Sequence, residues 1–218
     1  MKPRLSKNHS AAMTLVEVMV VIVVVVILAA MFLPILASPK KKSSRLGCVN
    51  NLKQIGLTYR IWEGDNGDIF PMGISVTNGG SREMVVAGNV VQTYLLMSNQ
   101  LSTPIILHCP EDLAATGTRS FAGLAGSNIS YFVGVDVTND TNPQMIISGD
   151  DSFEIGGVPV KSGLLQLGTN DPVAWTAARH PNAGNIGLAD GSVQSVTING
   201  LRTYLHQTGL ATNRFAIP

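Results

Sequence analysis

The feature that most constrains this chain is an apolar run from Met13 to Ala37, MTLVEVMVVIVVVVILAAMFLPILA, in which Glu17 is the one charged residue. About 20 apolar residues suffice to cross a ~30 Å hydrocarbon core as a helix, so this run is long enough to span a membrane. Its many valines favour a strand weakly, but no soluble strand is this long and this uniformly apolar. The sequence therefore predicts a transmembrane helix at residues 13–37.

Three interpretations of this run compete. A secretory signal peptide, cut near Ala37, has a shorter apolar stretch of about 7–15 residues and rarely contains an acid. A plain uncleaved anchor explains the length but not Glu17, because a carboxylate inside the bilayer costs about 2.5–3.5 kcal/mol on insertion scales and usually has a partner. The third interpretation is a cleaved leader in front of the run, which explains both the length and the acid.

The residues before the run favour the third interpretation. Three basic residues precede two small ones at the start of the chain: Lys2, Arg4, Lys7, Ala11 and Ala12. Together with Met13-Thr14-Leu15-Val16-Glu17, this junction resembles that of type IV pilins and type II secretion pseudopilins, which are cleaved before the apolar stretch. The resemblance implies a leader at residues 1–12, cleavage between Ala12 and Met13, and N-methylation of Met13. Ala12 is a departure, since that family prefers glycine before the cut.

Glu17 then becomes the fifth residue of the mature chain, where the family has a glutamate. The resemblance implies that its carboxylate pairs with the Met13 amine of a neighbouring subunit during filament assembly, because pairing removes two desolvated charges at once. Pro34 lies where these helices commonly carry a proline that kinks them. The implied partners are a prepilin peptidase and methyltransferase, other pilin-like subunits, an inner-membrane assembly platform with its ATPase, and membrane lipid.

Residues 38–62 are predicted to form a basic juxtamembrane segment and an amphipathic helix. Its apolar residues recur at the helical spacing of three and four, which predicts a stripe facing a sheet: Leu46, Val49, Leu52, Ile55 and Tyr59. Residues 50–57, NNLKQIGL, resemble the segment after the anchor in one large pseudopilin-like group. The polar turn from Glu63 to Asp68 ends the helix, and we expect it to be solvated rather than to bind calcium.

Residues 63–218 are predicted to form an exported β-rich globular domain. Four short apolar runs separated by Gly, Asn and Pro clusters predict short strands with long loops: 84–86, 104–107, 129–137 and 145–147. A helix is predicted near residues 90–97. The expected fold class is α+β and pilin-like, with a long N-terminal helix, transmembrane and then amphipathic, packed on an antiparallel sheet.

A hairpin is predicted at residues 180–198, because Asp190-Gly191 between two alternating runs indicates a type I′ turn with Leu188 opposite Val193. His180, followed nine residues later by Asp190-Gly191, resembles the H-x9-DG signature of the same pseudopilin-like group. A histidine near an aspartate also suggests a metal or catalytic site. No nucleophile stands in a recognisable setting, so we interpret His180, Asp190 and Gly191 as structural residues of this hairpin.

The cysteine count and the net charge exclude several classes of protein. Two cysteines, Cys48 and Cys109, are too few for a disulfide scaffold or a four-ligand zinc site. They either form a disulfide after export, with a chain-entropy contribution of about 4 kcal/mol, or stay as buried thiols. The formal net charge of +1 provides no field that attracts nucleic acid, so we expect no nucleic-acid partner.

The sequence shows no nucleophile–base pair, metal-ligand set or cofactor motif, so we expect no enzyme, no metal and no cofactor. The predicted protein is a single-pass protein of the bacterial inner membrane, with its C-terminal domain in the periplasm or otherwise outside the cytoplasm. Its predicted function is that of a structural subunit in a type II secretion-like or type IV pilus-like filament. The alternative is a membrane-tethered exported binding domain that does not polymerise.

Overall fold

The computed structural model describes residues 14–36 and 40–218, with the side chains of residues 14–30 and 44–218. The predicted leader, the predicted cut between Ala12 and Met13, and Ala37 lie outside the described residues. The chain divides into two compact units at residues 1–41 and 42–218.

The first unit contains helix α1, Leu15–Leu36. The described side chains of this helix are exposed, and Glu17 is the one charged residue among them. Within residues 14–36 and 40–218, the structure shows no helix with both the length and the hydropathy that a membrane crossing requires. The span at residues 13–37 stays a prediction. Helix α1 extends past Pro34 to Leu36. The kink at that proline also stays a prediction.

Helix α2, Lys40–Asp65, provides the apolar stripe of the second unit. Its buried residues follow the helical spacing of three and four: Cys48, Leu52, Ile55, Tyr59 and Trp62. The stripe differs from the predicted one at its start, because Leu46 is 62% exposed. At this end of the stripe the buried position belongs to Cys48, which is bonded to Cys109.

The polar turn after α2 ends the helix through backbone conformation. Gly67 (φ 72°) and Asp68 (φ 58°) both adopt the left-handed region. The Asp68 N–H donates to the carbonyl of Glu63 (3.0 Å), and the Asn66 side-chain amide donates to that of Trp62 (2.7 Å). These bonds satisfy carbonyls that the last turn of the helix leaves open.

The strands form two antiparallel sheets. A six-stranded sheet has the order β5-β9-β1-β2-β7-β8, and a three-stranded sheet has the order β4-β3-β6. The strands are β1 Tyr131–Gly134, β2 Ile146–Asp150, β3 Phe153–Ile155, β4 Val158–Pro159, β5 Gly163–Gly168, β6 Val173–Trp175, β7 Ala183–Leu188, β8 Val193–Thr197 and β9 Thr212–Ile217. The predicted α+β class with an N-terminal helix and antiparallel strands is confirmed, and a second, three-stranded sheet is present in addition to the one that was predicted.

Two of the four runs predicted as strands are helical. The segment Arg82–Val86 is helix α3, in which the Val85 N–H donates to the Ser81 carbonyl (2.9 Å). The segment Pro104–Leu107 is a 3-10 helix, because proline at its first position fixes a helical φ. The remaining helices are α4 Val91–Leu96, α5 Ser98–Leu101, α6 Ile198–Gln207, and 3-10 turns at Pro71–Gly73, Val76–Asn78, Phe121–Gly123 and Gly126–Asn128.

Both faces of the six-stranded sheet are buried. On β1, Tyr131 and Val133 belong to the core that contains the α2 stripe. Phe132 points to the other core, where its ring lies 4.6 Å from that of Phe215 and where Leu201 of α6 packs. A strand that is covered on both faces is a continuous apolar run rather than an alternating one, as residues 131–133 are.

The β7–β8 hairpin has a three-residue loop instead of the predicted two-residue one. Gly187 pairs with Val193, and the Leu188 N–H donates to the Ser192 carbonyl (2.9 Å), so Leu188 lies opposite Ser192. The Asp190 carboxylate accepts from the Ser192 N–H (2.8 Å). Gly191 has a positive φ (84°) and Asp190 does not, which rules out the type I′ turn and gives a loop that ends in a left-handed glycine.

Candidate functional site

The first candidate site is the start of α1, where Thr14 and Glu17 form a capping box. The Glu17 carboxylate accepts from the Thr14 backbone N–H (2.8 Å) and from the Thr14 hydroxyl (2.9 Å). In return, the Glu17 N–H donates to the Thr14 hydroxyl oxygen (3.3 Å). This T-x-x-E arrangement satisfies backbone N–H groups that the first turn of a helix leaves open.

Glu17 therefore has a local structural role that the sequence interpretation missed, although the T-x-x-E signal was present in residues 14–17. The cap requires a hydrogen-bond acceptor, which a neutral amide also provides. An ion pair with the amine of another subunit requires a negative charge. The two roles of Glu17 can consequently be separated by an isosteric substitution.

The second candidate site is a buried cluster around a disulfide between Cys48 of α2 and Cys109 (Cα–Cα 5.2 Å). The disulfide is one of the two states that the sequence left open. His180 lies against it, with Nε2 3.7 Å from the Cys109 sulfur and 3.7 Å from Asp150 Oδ2. These four side chains, here called the disulfide cluster, are all buried.

Asp150 is held in the disulfide cluster by Asn185 of the neighbouring strand. Its Oδ2 accepts from the Asn185 backbone N–H (2.8 Å) and side-chain amide (2.9 Å), while its buried Oδ1 has no hydrogen-bond partner among the described residues. Burial raises the pKa of Asp150 to about 7. Burial also lowers the pKa of His180, which favours a neutral imidazole in this site.

Arg179 supplies positive charge beside the disulfide cluster. Its guanidinium forms ion pairs with Asp112 (2.5 Å) and with Asp151, and it donates to the Ser130 carbonyl (2.9 Å). Burial raises the pKa of Asp151 to about 6, and Arg179 opposes that rise. Arg179 thus compensates two carboxylates in a largely dry environment.

The structure does not bring His180 and Asp190 together. His180 precedes β7 and belongs to the disulfide cluster, whereas Asp190 follows β7 and organises the hairpin loop. The H-x9-DG spacing therefore corresponds to the two ends of one strand. Sequence reasoning missed that Cys48, Cys109, Asp150 and His180 converge, because they come from four separate segments of the chain.

The comparison with protein families gave one match. Residues 7–33 match the family model of the prokaryotic N-terminal methylation motif, and this range includes Ala12, Met13 and Glu17. The motif indicates a type IV pilin-like protein that a prepilin peptidase processes, and it suggests membrane anchoring with exposure outside the cytoplasm. It also suggests a structural subunit rather than an enzyme. No curated protein and no solved structure matches the chain.

Proposed function

We propose that this chain is a filament subunit of the bacterial inner membrane, cut between Ala12 and Met13 and then assembled into a type II secretion-like or type IV pilus-like filament. The observation that carries the proposal is the methylation motif at residues 7–33. With the cut that we propose between Ala12 and Met13, Glu17 is the fifth residue of the mature chain. The H-x9-DG spacing adds to this, because it resembles a pseudopilin-like group.

The proposed assembly mechanism is electrostatic. Hydrolysis of the Ala12–Met13 peptide bond frees an α-amine on Met13, and methylation keeps that amine positively charged. Inside lipid, the amine of one subunit and the Glu17 carboxylate of its neighbour each lack a counter-ion when alone. Pairing removes both desolvated charges and sets the axial offset between subunits.

The second unit is suited to export. A fully buried disulfide joins α2 to Cys109 and persists in an oxidising compartment such as the periplasm. Helix α2 packs its buried stripe on an antiparallel sheet, as the pilin-like class implies. The proposed partners are the prepilin peptidase and methyltransferase, further pilin-like subunits, and an assembly platform with its ATPase.

Three substitutions test the charge of Glu17 separately from its capping role. Glu17→Ala removes both the acceptor and the charge, Glu17→Gln keeps the acceptor and removes the charge, and Thr14→Val weakens the cap while the charge stays. We expect all three variants to be cleaved. We expect Glu17→Ala and Glu17→Gln to be absent from sheared or pelleted filaments, and Thr14→Val to be incorporated.

The Glu17→Gln variant distinguishes the capping role of Glu17 from its role in an ion pair. If Glu17→Gln enters filaments as efficiently as the unsubstituted chain, the carboxylate acts as a helix cap and the proposed ion pair is wrong. The size of the membrane-bound chain shows whether the leader has been removed. Removal in all three variants shows that any loss of incorporation into filaments occurs after processing.

The capping box also supports a second candidate, a membrane-tethered exported binding domain that does not polymerise, because a capped Glu17 has a role without a neighbouring subunit. Single cysteines introduced one at a time along residues 18–30 distinguish the two candidates. A filament gives crosslinked adducts between subunits at a regular offset, whereas a tethered monomer gives none. The native cysteines do not interfere, since their disulfide is buried.

A further inference from the structure

We infer that the disulfide cluster is a binding site for a thiophilic divalent metal ion of the zinc type, which Cys48, Cys109, His180 and Asp150 ligate whenever the two cysteines reach the folded domain as thiols. Disulfide and metal are then alternative ways of closing the same site. This inference concerns the second unit and does not depend on filament assembly.

The distances among three of the ligand atoms fit a small tetrahedral site. The two sulfurs and the His180 nitrogen all lie within 4.8 Å of one another, and Nε2 is 3.7 Å from the Cys109 sulfur. Zinc with bonds of about 2.3 Å to sulfur and about 2.0–2.1 Å to nitrogen places its ligand atoms roughly 3.4–3.8 Å apart. Once the covalent bond is broken, separation of the two sulfurs by a further ångström or two provides this geometry.

We assign the fourth ligand to Asp150, which is not among the three residues whose ligand atoms lie within 4.8 Å of one another, so its carboxylate must approach the two sulfurs when the metal binds. Its Oδ2 is 3.7 Å from His180 Nε2, and its buried Oδ1 has no hydrogen-bond partner among the described residues. Asn185 orients the carboxylate through two hydrogen bonds, as outer residues do for metal ligands. Because all four side chains are buried, the site is closed and of the structural kind, without an open position for substrate.

The two states are related by a balanced reaction. A dithiol or phosphine reductant gives two electrons to the Cys48–Cys109 disulfide, which takes up two protons and becomes two thiols. The ion then displaces both thiol protons and binds two thiolates, neutral imidazole and carboxylate. The positive charge of Arg179 interacts with Asp150 and partly offsets the extra negative charge of this ligand set.

Cobalt(II) is the probe for this site, because thiolate ligation gives it intense charge-transfer absorption and tetrahedral coordination gives it strong visible bands. The full-length protein in detergent micelles is unfolded, reduced with a phosphine and refolded anaerobically with cobalt(II). We expect one tightly held cobalt per chain with thiolate absorption, displaced by one equivalent of zinc(II). The oxidised protein, carried through the same steps without reductant, is expected to bind none.

The ligand assignment is tested with His180→Gln and Asp150→Asn, each refolded in reduced form. The matched control is His206→Gln, since His206 is exposed on α6. We expect at least a tenfold loss of cobalt affinity for each of the first two variants and no loss for the control. Zinc(II) should also raise the unfolding midpoint of the reduced unsubstituted protein and not that of the oxidised protein.

The unsubstituted protein is decisive even if a cluster variant does not fold. Absence of thiolate–cobalt absorption from the reduced chain would overturn the inference, as would equal binding by the oxidised chain. A folded His180→Gln variant with an unchanged cobalt spectrum would remove His180 from the ligand set and likewise contradict it.

Discussion

Two arginines show, at the scale of single residues, how burial changes what an ion pair contributes. The Arg179 side chain is 11% exposed and pairs with both Asp112 and Asp151. The Arg214 side chain is 39% exposed and pairs with Asp136. Loss of a buried partner leaves an uncompensated charge in a dry site, whereas an exposed pair is screened by water.

We therefore expect Arg179→Leu to lower the free energy of unfolding by about 3–5 kcal/mol, because the buried Asp112 and the largely buried Asp151 lose their counter-ion. Arg214→Leu is the matched control and should lower it by about 1 kcal/mol or less. Chemical denaturation of the full-length protein in detergent measures both. Equal losses for the two variants would show that Arg179 does not compensate buried charge.

The titration of Glu63 makes the free energy of unfolding depend on pH, and the direction of its pKa shift sets the sign of that dependence. The Glu63 side chain is 5% exposed and pairs with Arg60 (3.0 Å). Burial raises the pKa of Glu63 above its ordinary value of 4.5, Asp140 adds to the rise, and Arg60 opposes it. The folded state then binds more protons than the unfolded state just above pH 4.5, so this group's contribution to stability falls as pH rises through that window.

Glu63→Gln removes this titration. We expect the stability of the variant relative to the unsubstituted protein to increase as pH rises from about 4 upward. Glu83→Gln is the control of opposite sign, because a hydrogen bond from the Val76 N–H (2.8 Å) lowers the pKa of Glu83. Its relative stability should decrease as pH rises through the range just below pH 4.5, where the unfolded state binds more protons than the folded state. Parallel pH profiles for the two variants would contradict the opposite pKa shifts of Glu63 and Glu83.

Single residues also show what sequence could and could not predict. The T-x-x-E cap at Thr14 and Glu17 is a local pattern and was available in principle. The contact of His180 with Cys109 and Asp150 was not, because a sequence without structure gives no sign of which distant segments meet. The same limit left the pairing of Cys48 with Cys109 open.

At the scale of elements, helix α2 packs closely on the β7–β8 hairpin through a glycine. A Cβ on Gly56 would lie 3.3 Å from the Gly191 carbonyl oxygen, whereas a Cβ on Gly64 of the same helix would meet nothing within 4 Å. Gly191 itself cannot move freely, since its positive φ closes the hairpin loop. Gly56 therefore permits the close approach of the two elements.

We expect Gly56→Leu to lower the free energy of unfolding by roughly 1–3 kcal/mol, the usual effect of overpacking a close contact. Gly64→Leu should leave stability unchanged or raise it slightly, because it replaces a helical glycine without a clash. Thermal unfolding followed by circular dichroism compares the two. A larger loss of stability for Gly64→Leu than for Gly56→Leu would mean that the close contact between Gly56 and the β7–β8 hairpin does not limit packing.

The elements differ in how far sequence predicted them. The periodic stripe of α2 was predicted, but at its start Cys48, bonded to Cys109, is buried and Leu46 is exposed. The apolar run at residues 84–86 is too short for periodicity to separate a strand from a helix. Helix α6 was missed, although Thr197 caps its start and Leu201 and Leu205 line its buried face.

At the scale of the whole molecule, the sequence predicted the α+β class and the antiparallel strands but not the second sheet. Strands β3 and β6 contribute Phe153 and Trp175, whose stacked rings (4.9 Å) cover the face of the main sheet opposite to α2. Burial of that face depends on contacts between segments that are far apart in the chain. No local pattern of polar and apolar residues specifies such contacts.

The proposed function of the whole molecule depends on its N-terminal segment. The methylation motif at residues 7–33 indicates processing, and the proposed filament requires an amine on Met13 to meet Glu17 of a neighbouring subunit. A charged acid in an apolar run is costly unless it is paired or locally bonded, and the capping box supplies the local alternative. The identity of the first residue of the mature chain therefore tests the proposal most directly.

Mass spectrometry of the N-terminal peptide, from protein purified out of bacterial membranes, makes this measurement. We predict that the mature chain begins at Met13, with a methyl group on its α-amine. A chain that begins at Met1 or at Ser38 would contradict the proposed function, because the amine that neutralises Glu17 would then be missing from its place.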